Sequence, residues 1–452
     1  MRAFILALLA ALLAWPAAAA QPGAYAFIGV TVVPMDRERT IPAQTVVVRG
    51  GRIVAMGPAS RVRVPGDAVR IDGRGRYLMP GLAEMHAHVP PNPGDAQWTE
   101  DVLFLYAANG ITFARSMLGA PHHLELRARA ERGEIVSPRI YTSGPSLNGN
   151  SVATPEDGRR MVAEQRQAGY DFLKIHPGLD RPRFDAIAET ANRLRIPFGG
   201  HVPDEVGIER AFEVRQATVD HLDGYFPLLV ADAAAAGAPG FFGFNLTDRV
   251  DEARIAEAVR RTRAAGTWNV PTESLLRHVL LPDPDNRLAD RPEMRYVPRQ
   301  MLASWVQARA NLQAQPAYSP ERARRFIEIR ARLIKALSDG GAGLLLGSDA
   351  PQWFNVPGFA LHRELEYLVD AGLTPFQALA GGTRDVARFI GEEQLFGTVA
   401  VGKRADLLLL DADPLADIAN ARRTAGVMLA GRWLPASRLQ AGLAAIAARH
   451  AK

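Results

Sequence analysis

Apolar and polar positions along this chain follow two rhythms. Near the start, short β-type runs dominate, at residues 26–33, 45–49 and 52–56. Gly50-Gly51 separates the last two and predicts a hairpin, because glycine reaches positive φ without penalty. Runs of the same character return only at 405–411 and 426–430, and helical patterning is scarce in both regions. Either end alone has too few strands to be stable, so the pattern predicts one small sheet domain assembled from both.

Between them, over about residues 79–395, the rhythm alternates. Strand-like runs fall at 82–89, 110–117, 139–143, 170–176, 197–202, 218–221, 267–271 and 343–347. Amphipathic, Arg/Glu/Ala-rich stretches intervene, among them 155–167, 183–194, 252–264 and 320–337. Eight strands alternating with helices predict an α/β protein built on a (β/α)8 barrel. A doubly wound sheet is the rival, but no Gly-rich phosphate loop follows any strand. Residues 276–320, after the seventh strand, are too many for an ordinary βα loop and read as a candidate lid.

Composition narrows the class. The chain has 452 residues, 48% hydrophobic and 22% charged, which is ordinary for a globular protein. Its formal net charge of +5 comes without a basic run, so nucleic acid is not an expected partner. Cysteine is absent, which leaves any metal to nitrogen and oxygen ligands. Residues 1–20 separate from the rest: Arg2, an apolar run over 3–15, then Pro16 and Ala17 to Ala20. That is the pattern of a secretory signal peptide, too short to span a bilayer. The mature chain is expected to begin near Gln21, exported to the periplasm or secreted, with no membrane association after cleavage. Self-association into a homo-oligomer is left open by the sequence.

In a barrel the reactive residues sit at the C-terminal strand ends. His86 and His88 end the first strand and, at i and i+2, face one side. His201 ends the fifth strand, His221 the sixth and Asp349 the eighth. Burying so many ionisable groups together without an ion is costly, whereas neutral imidazoles and a carboxylate suit Zn²⁺ or a similar divalent cation. Lys174 completes the set. It is one of four lysines against 49 arginines, and it ends the apolar fourth strand 170–176. A buried ammonium beside cations has a lowered pKa, and the free amine reacts with CO2 to give a carbamate able to bridge two metals. His122 and His123 precede a helix and read as capping or solvent-facing, while His278 and His362 read as lid and helix residues.

With these residues the chain resembles the amidohydrolase superfamily of metal-dependent hydrolases. The resemblance rests on Pro80-Gly81-Leu82-Ala83-Glu84-Met85-His86-Ala87-His88, on Gly347-Ser348-Asp349-Ala350-Pro351, and on the β re-entry Gly397-Thr398-Val399-Ala400-Val401-Gly402-Lys403. It implies a β-sandwich of both chain ends (residues 21–78 and 396–452, the latter with a C-terminal helix) beside the barrel at 79–395. It further implies two metal ions. His86, His88 and Asp349 would hold the buried one, His201 and His221 the outer one, with carboxylated Lys174 bridging both. Asp349 would act as general base toward a metal-bridging hydroxide that attacks an amide- or peptide-type C–N bond. Glu84 departs from the Asp usual in that motif, and His176 stands where relatives often carry tyrosine, as a candidate to polarise the carbonyl. The Gly-His-Val-Pro fifth strand looks most like dipeptidase or prolidase-type relatives.

Tyr141, at the third strand end, joins Asp349 and His176 among the catalytic candidates. Arg115, Arg295, Tyr296 and Arg299 are candidates for a small-molecule substrate carboxylate, because guanidinium forks match it in a bidentate way. Two other functions share the pattern. An esterase, lactonase or phosphotriesterase-like activity would use the same centre. A non-catalytic binding protein would keep the fold but predicts decay of the ligand set, and all six positions are intact.

Overall fold

The computed structural model describes residues 23–58, 60–232, 237–283 and 287–451, so the signal-peptide reading of residues 1–20 lies outside them. The N-terminal strands are β1 (Ala24–Val32), β2 (Ile41–Arg49), β3 (Arg52–Pro58), β4 (Ala68–Asp72) and β5 (Tyr77–Pro80). Next come β6 (Leu82–Ala87), β7 (Ile111–Ser116), β8 (Arg139–Thr142), β9 (Leu173–Ile175), β10 (Phe198–Gly200), β11 (Thr218–Asp220) and β12 (Trp268–Val270). The chain ends with β13 (Leu407–Leu410), β14 (Thr424–Leu429), β15 (Arg432–Pro435) and the helix Ala436–His450.

Strands from both ends form one eight-stranded sheet in the order β15-β14-β13-β5-β1-β2-β3, with β4 also paired to β1. The junction is β5, which runs parallel to β1 and antiparallel to β13, Met79 facing Leu408. Apolar residues from both ends, including Phe27, Val46, Val48, Leu78, Leu407 and Leu409, pack into one cluster. The Gly50-Gly51 turn has φ values of 56° and 74°, as a tight hairpin requires.

The central region is a TIM-barrel-like α/β fold of parallel strands with helices between them. Two parallel sheets are present, β6-β7-β8 and β12-β11-β10-β9. Isolated parallel bridges extend the pairing: Ser143 to Phe172, Asn269 to Leu344, and Ala87 to Ala350. The eighth run, expected at 343–347, is therefore not a regular strand. It lies within bonding reach of both neighbours, with Leu345 N donating to Asn269 O at 2.8 Å and Met85 N to Leu346 O at 2.9 Å. Two glycines let it pass close to its neighbours. A Cβ on Gly347 would come 2.8 Å from His86 N, and one on Gly343 would come 2.2 Å from the Trp268 ring.

Helices stop and start where the side chains dictate. Thr154 and Asp157 form a capping box before Pro155–Ala168, and Asp180 caps Arg181–Leu194. The helix Pro320–Asp339 buries Ala323, Phe326, Arg330, Leu333 and Leu337, a three-and-four spacing that seats an arginine in an apolar stripe. The described part of residues 276–320, the candidate lid, carries secondary structure. It holds most of the helix Glu273–Leu280, a turn at Pro292–Tyr296 and the helix Arg299–Gln313, the last anchored by Arg309 Nε on the carbonyl of His278 at 3.0 Å. Among the described residues no helix is long and apolar enough to cross a membrane.

His123 corrects the solvent-facing expectation. It is fully buried, with Nε2 3.1 Å from the carbonyl oxygen of Pro90. Burial pushes its pKa from 6.5 down to about 4. The unfolded chain binds that proton first as pH falls, so the contribution to stability is full above pH 6.5 and is lost on the way to pH 4. The expected loss is about 3 kcal/mol. Urea unfolding at pH 7 and pH 4.5 should show a smaller drop for His123→Gln than for the parent; equal drops would refute the assignment.

Candidate metal centre

The exits of β6, β10 and β11 and the segment 348–350 bring the nominated side chains to one place. Glu84 and His86 lie on β6 and His88 just beyond its end, and both imidazoles reach Asp349. Among the described residues, His86, His88 and Asp349 offer ligand atoms all within 4.8 Å of one another. Asp349 Oδ1 lies 2.8 Å from His88 Nε2 and 3.4 Å from His86 Nε2, yet that oxygen has no aligned hydrogen bond. The ring of His221 sits 4.6 Å from that of His86, His201 4.7 Å from His221, and His176 5.1 Å from His201.

The outward nitrogens are engaged, which orients the inward ones. His221 Nδ1 is 2.8 Å from Thr272 Oγ1, and His201 Nδ1 is 3.2 Å from Asp223 Oδ2. Such contacts fix tautomer and ring direction in metal sites. His86 Nδ1 lies 2.8 Å from Asp220 Oδ2 without hydrogen-bond alignment. Glu84 ties the two halves of the site together, its Oε1 accepting from the backbone N–H of His86 at 2.9 Å and of Ser348 at 2.8 Å. The longer carboxylate thus bridges the first strand to the residue before Asp349.

Lys174 is fully buried, and its Nζ has no hydrogen-bond partner. Its stem crosses Gly200, where a Cβ would come 2.8 Å from the lysine Cδ, so this glycine is needed to admit it. Burial lowers its pKa to about 8, against the opposing pull of Asp220 and Asp349. Burial likewise drives His86 and His221 well below the ordinary imidazole value, leaving them neutral and able to ligate. Burial alone would raise Asp349, but His86 and His88 outweigh it and hold the carboxyl well below the usual range. Burial first, then Lys174, pushes His176 down to about 2.

Two buried polar atoms of the nominated ligand set, Lys174 Nζ and Asp349 Oδ1, lack a hydrogen bond in an interior where about nine in ten have one. Together with neutral imidazoles and an ionised carboxylate, they are the donor set a divalent cation takes, so the residues fit a metal. Backbone strain gathers here too. His221, Thr272 and Asp349 have φ values of 62°, 52° and 64°, a left-handed region sparsely used by residues other than glycine.

Other nominated residues are placed elsewhere. The guanidinium of Arg115 is buried and committed: Nε donates to Met85 O at 2.7 Å, and its amino groups meet Thr218 Oγ1 at 3.2 Å and Asp220 Oδ2 at 3.2 Å. It therefore positions Asp220 rather than offering a fork to a substrate carboxylate. Tyr141 stacks on Phe172 at 5.5 Å, and its hydroxyl donates to the carbonyl of Asp171 at 3.3 Å, away from the histidines. Burial raises that hydroxyl to about 12. Tyr296 is buried against Phe359 at 5.2 Å, Arg295 donates to the Tyr296 hydroxyl at 2.7 Å, and Arg299 donates to the Ala451 carbonyl. Their contacts are with the C-terminal packing, not the cluster. His278 and His362 bond Asn355 at 2.8 Å and the Asn109 carbonyl at 3.0 Å, as helix residues.

Residues missed by the sequence reading are Asp220, Asp223, Thr272 and Phe242. The two aspartates flank His221 in Asp220-His221-Leu222-Asp223, and that adjacency was the available signal. Phe242 lies 4.8 Å from the His221 ring on a segment without a strand pattern. A cavity of about 370 Å³ lined by Trp268, Phe376 and Arg384 opens at the opposite strand ends and is not the reactive centre.

Comparison with known proteins places these features. A profile of the amidohydrolase family matches residues 77–434. An imidazolonepropionase of Salmonella agona (strain SL483) is 23% identical over 427 residues, covering 88% of this chain and 94% of the relative. A bottromycin amidohydrolase structure superposes with a TM-score of 0.73 at 24% identity, covering 95% of this chain and 91% of the other. A structure provisionally assigned as a prolidase from Bifidobacterium longum superposes with a TM-score of 0.71 at 23% identity, covering 94% and 99%.

Proposed function

The chain belongs to the amidohydrolase family and is a hydrolase acting on carbon–nitrogen bonds, and on that premise we propose that it is an exported, metal-dependent enzyme cleaving an amide- or peptide-type bond. In this reading His86, His88 and Asp349 hold one divalent cation and His201 and His221 a second, zinc being suited to such ligands. Lys174 would serve as a further holder of both ions once carboxylated, its free amine adding to the carbon of CO2 with formation of an N–C bond and release of one proton. We also infer that the bridges at Ser143, Leu344 and Ala350 close the parallel segments into a (β/α)8 ring. Export rests on the residue 1–20 pattern alone.

The observation that carries the reading is Lys174: a fully buried amine without a hydrogen-bond partner, in electrostatic reach of His86, His176, His221 and Asp349. Cations bound here would lower the pKa of water and polarise the scissile carbonyl. The chain's own groups do the rest. Asp349, ionised at neutral pH, accepts the proton of the attacking water and returns it to the leaving nitrogen. In this reading His176, neutral and close to His201, would donate a hydrogen bond to the carbonyl oxygen. Glu84, Asp223 and Thr272 hold the ligands in direction.

A hydrolysis screen tests this. Dipeptides and N-acyl amides should be turned over, and removing metal with a chelator should abolish the activity until metal is restored. Lactones, aryl esters and phosphotriesters are the comparators; turnover of these alone, or full activity in metal-free protein, would overturn the assignment.

A further inference from the structure

A row of three large aromatic side chains starts at the cluster. Phe242 stacks on His201 with ring centroids 5.8 Å apart and planes 15° apart, and lies 4.8 Å from His221. Phe241 meets Phe242 edge-on at 4.5 Å, and Trp353 lies 6.4 Å from Phe241. They come from two separate loops. Residues 241 and 242 follow β11 and His221, while Trp353 is the fourth residue after Asp349. The row therefore connects the loop following one proposed ligand to the loop carrying another. None of the three is fully buried, although each is large enough to profit from burial.

The backbone holds this row at a cost. Phe242 has φ 50° and ψ 33°, and Trp353 has φ 49°. A bulky residue in the left-handed region is strained, and such strain collects at functional positions. Gly240 and Gly243 flank the phenylalanines with φ of 68° and 87°. A Cβ on Gly243 would come 2.4 Å from Phe226 Cβ, so the loop is pressed onto the core and the rings cannot simply relax inward. The row carries no charge, and Arg115, Arg295 and Arg299 are engaged elsewhere.

We propose that Phe242, Phe241 and Trp353 form the subsite that receives a neutral aromatic or flat-ring substituent beside the scissile C–N bond. This rests on the hydrolase reading and adds the substrate class. An uncharged π-surface stacks on a ring and has nothing to pair with a carboxylate. The wall also screens the outer imidazoles from water. Phe242 is thus a specificity residue of the site.

Matched neutral amides test this, one bearing a phenyl group and one a methyl group, on metal-loaded protein. The parent should prefer the phenyl amide in kcat/KM, and Phe242→Ala should cut that preference about tenfold or more, chiefly through KM. Phe242→Tyr should restore it, and metal content should stay the same in all three. Loss of both substrates in equal proportion, or an unchanged preference in Phe242→Ala, would overturn the subsite. Calorimetry with benzamide and acetamide separates the two readings. If neither amide is hydrolysed but benzamide binds in a Phe242-dependent way, the subsite stands and hydrolysis of simple amides is excluded. If the amides are hydrolysed without Phe242-dependent discrimination, the reverse holds. If benzamide does not bind and no preference exists, the subsite is refuted.

Discussion

Replacing Lys174 with alanine is expected to remove bound metal and turnover together while leaving the fold intact. The lost charge stabilisation amounts to several kcal/mol, on the order of a thousandfold or more in kcat. The folding side has the opposite sign. An amine buried without a partner is a liability in the metal-free protein, so the variant should melt no lower than the metal-free parent. Acetate or propionate should restore part of the activity by supplying the missing oxygens. Metal analysis, calorimetry and kcat with and without acetate check all three parts. Normal turnover in Lys174→Ala would remove the bridging role.

Asp349→Asn is expected to separate chemistry from binding. The amide keeps an oxygen for the metal but cannot accept a proton as the carboxylate does. A general base contributes about 10² to 10⁴, so kcat should fall by that order with KM changed little. The position itself is constrained: Asp349 has φ 64°, and asparagine tolerates the left-handed region nearly as well as aspartate. Retention of more than a tenth of the parent kcat at full metal content would argue for another base.

What the sequence disclosed follows from what is local. His86 and His88 could be assigned to one side because strand alternation is a property of neighbouring residues. Lys174 stood out because lysine is rare in this chain and sits in an apolar run. The two-ended sheet was legible from its long strands, whereas β4 and β5 carry only five and four residues and draw their stability from β1 and β13. Spatial pairings left no such trace. Arg115 reaches Asp220 across 105 positions, which turned an apparent substrate anchor into support for a ligand. Arg330, which no sequence pattern singled out, likewise pairs far along the chain, its buried guanidinium meeting Glu273 at 2.6 Å and the His221 carbonyl at 2.7 Å. The aromatic row is built from loops without periodicity and was invisible beforehand. Arg295 and Arg299 were misread because arginine is abundant and its position in a long connection says little about direction.

The measurement that bears most directly on the account is anomalous diffraction from crystals of the metal-replete protein. Two peaks are expected, one about 2.0–2.2 Å from the donor atoms of His86, His88 and Asp349, the other at similar distance from His201 and His221. Density for a carbamate on Lys174 should lie between them. A bare ammonium at Lys174, with no peak among these side chains, would contradict the proposed chemistry.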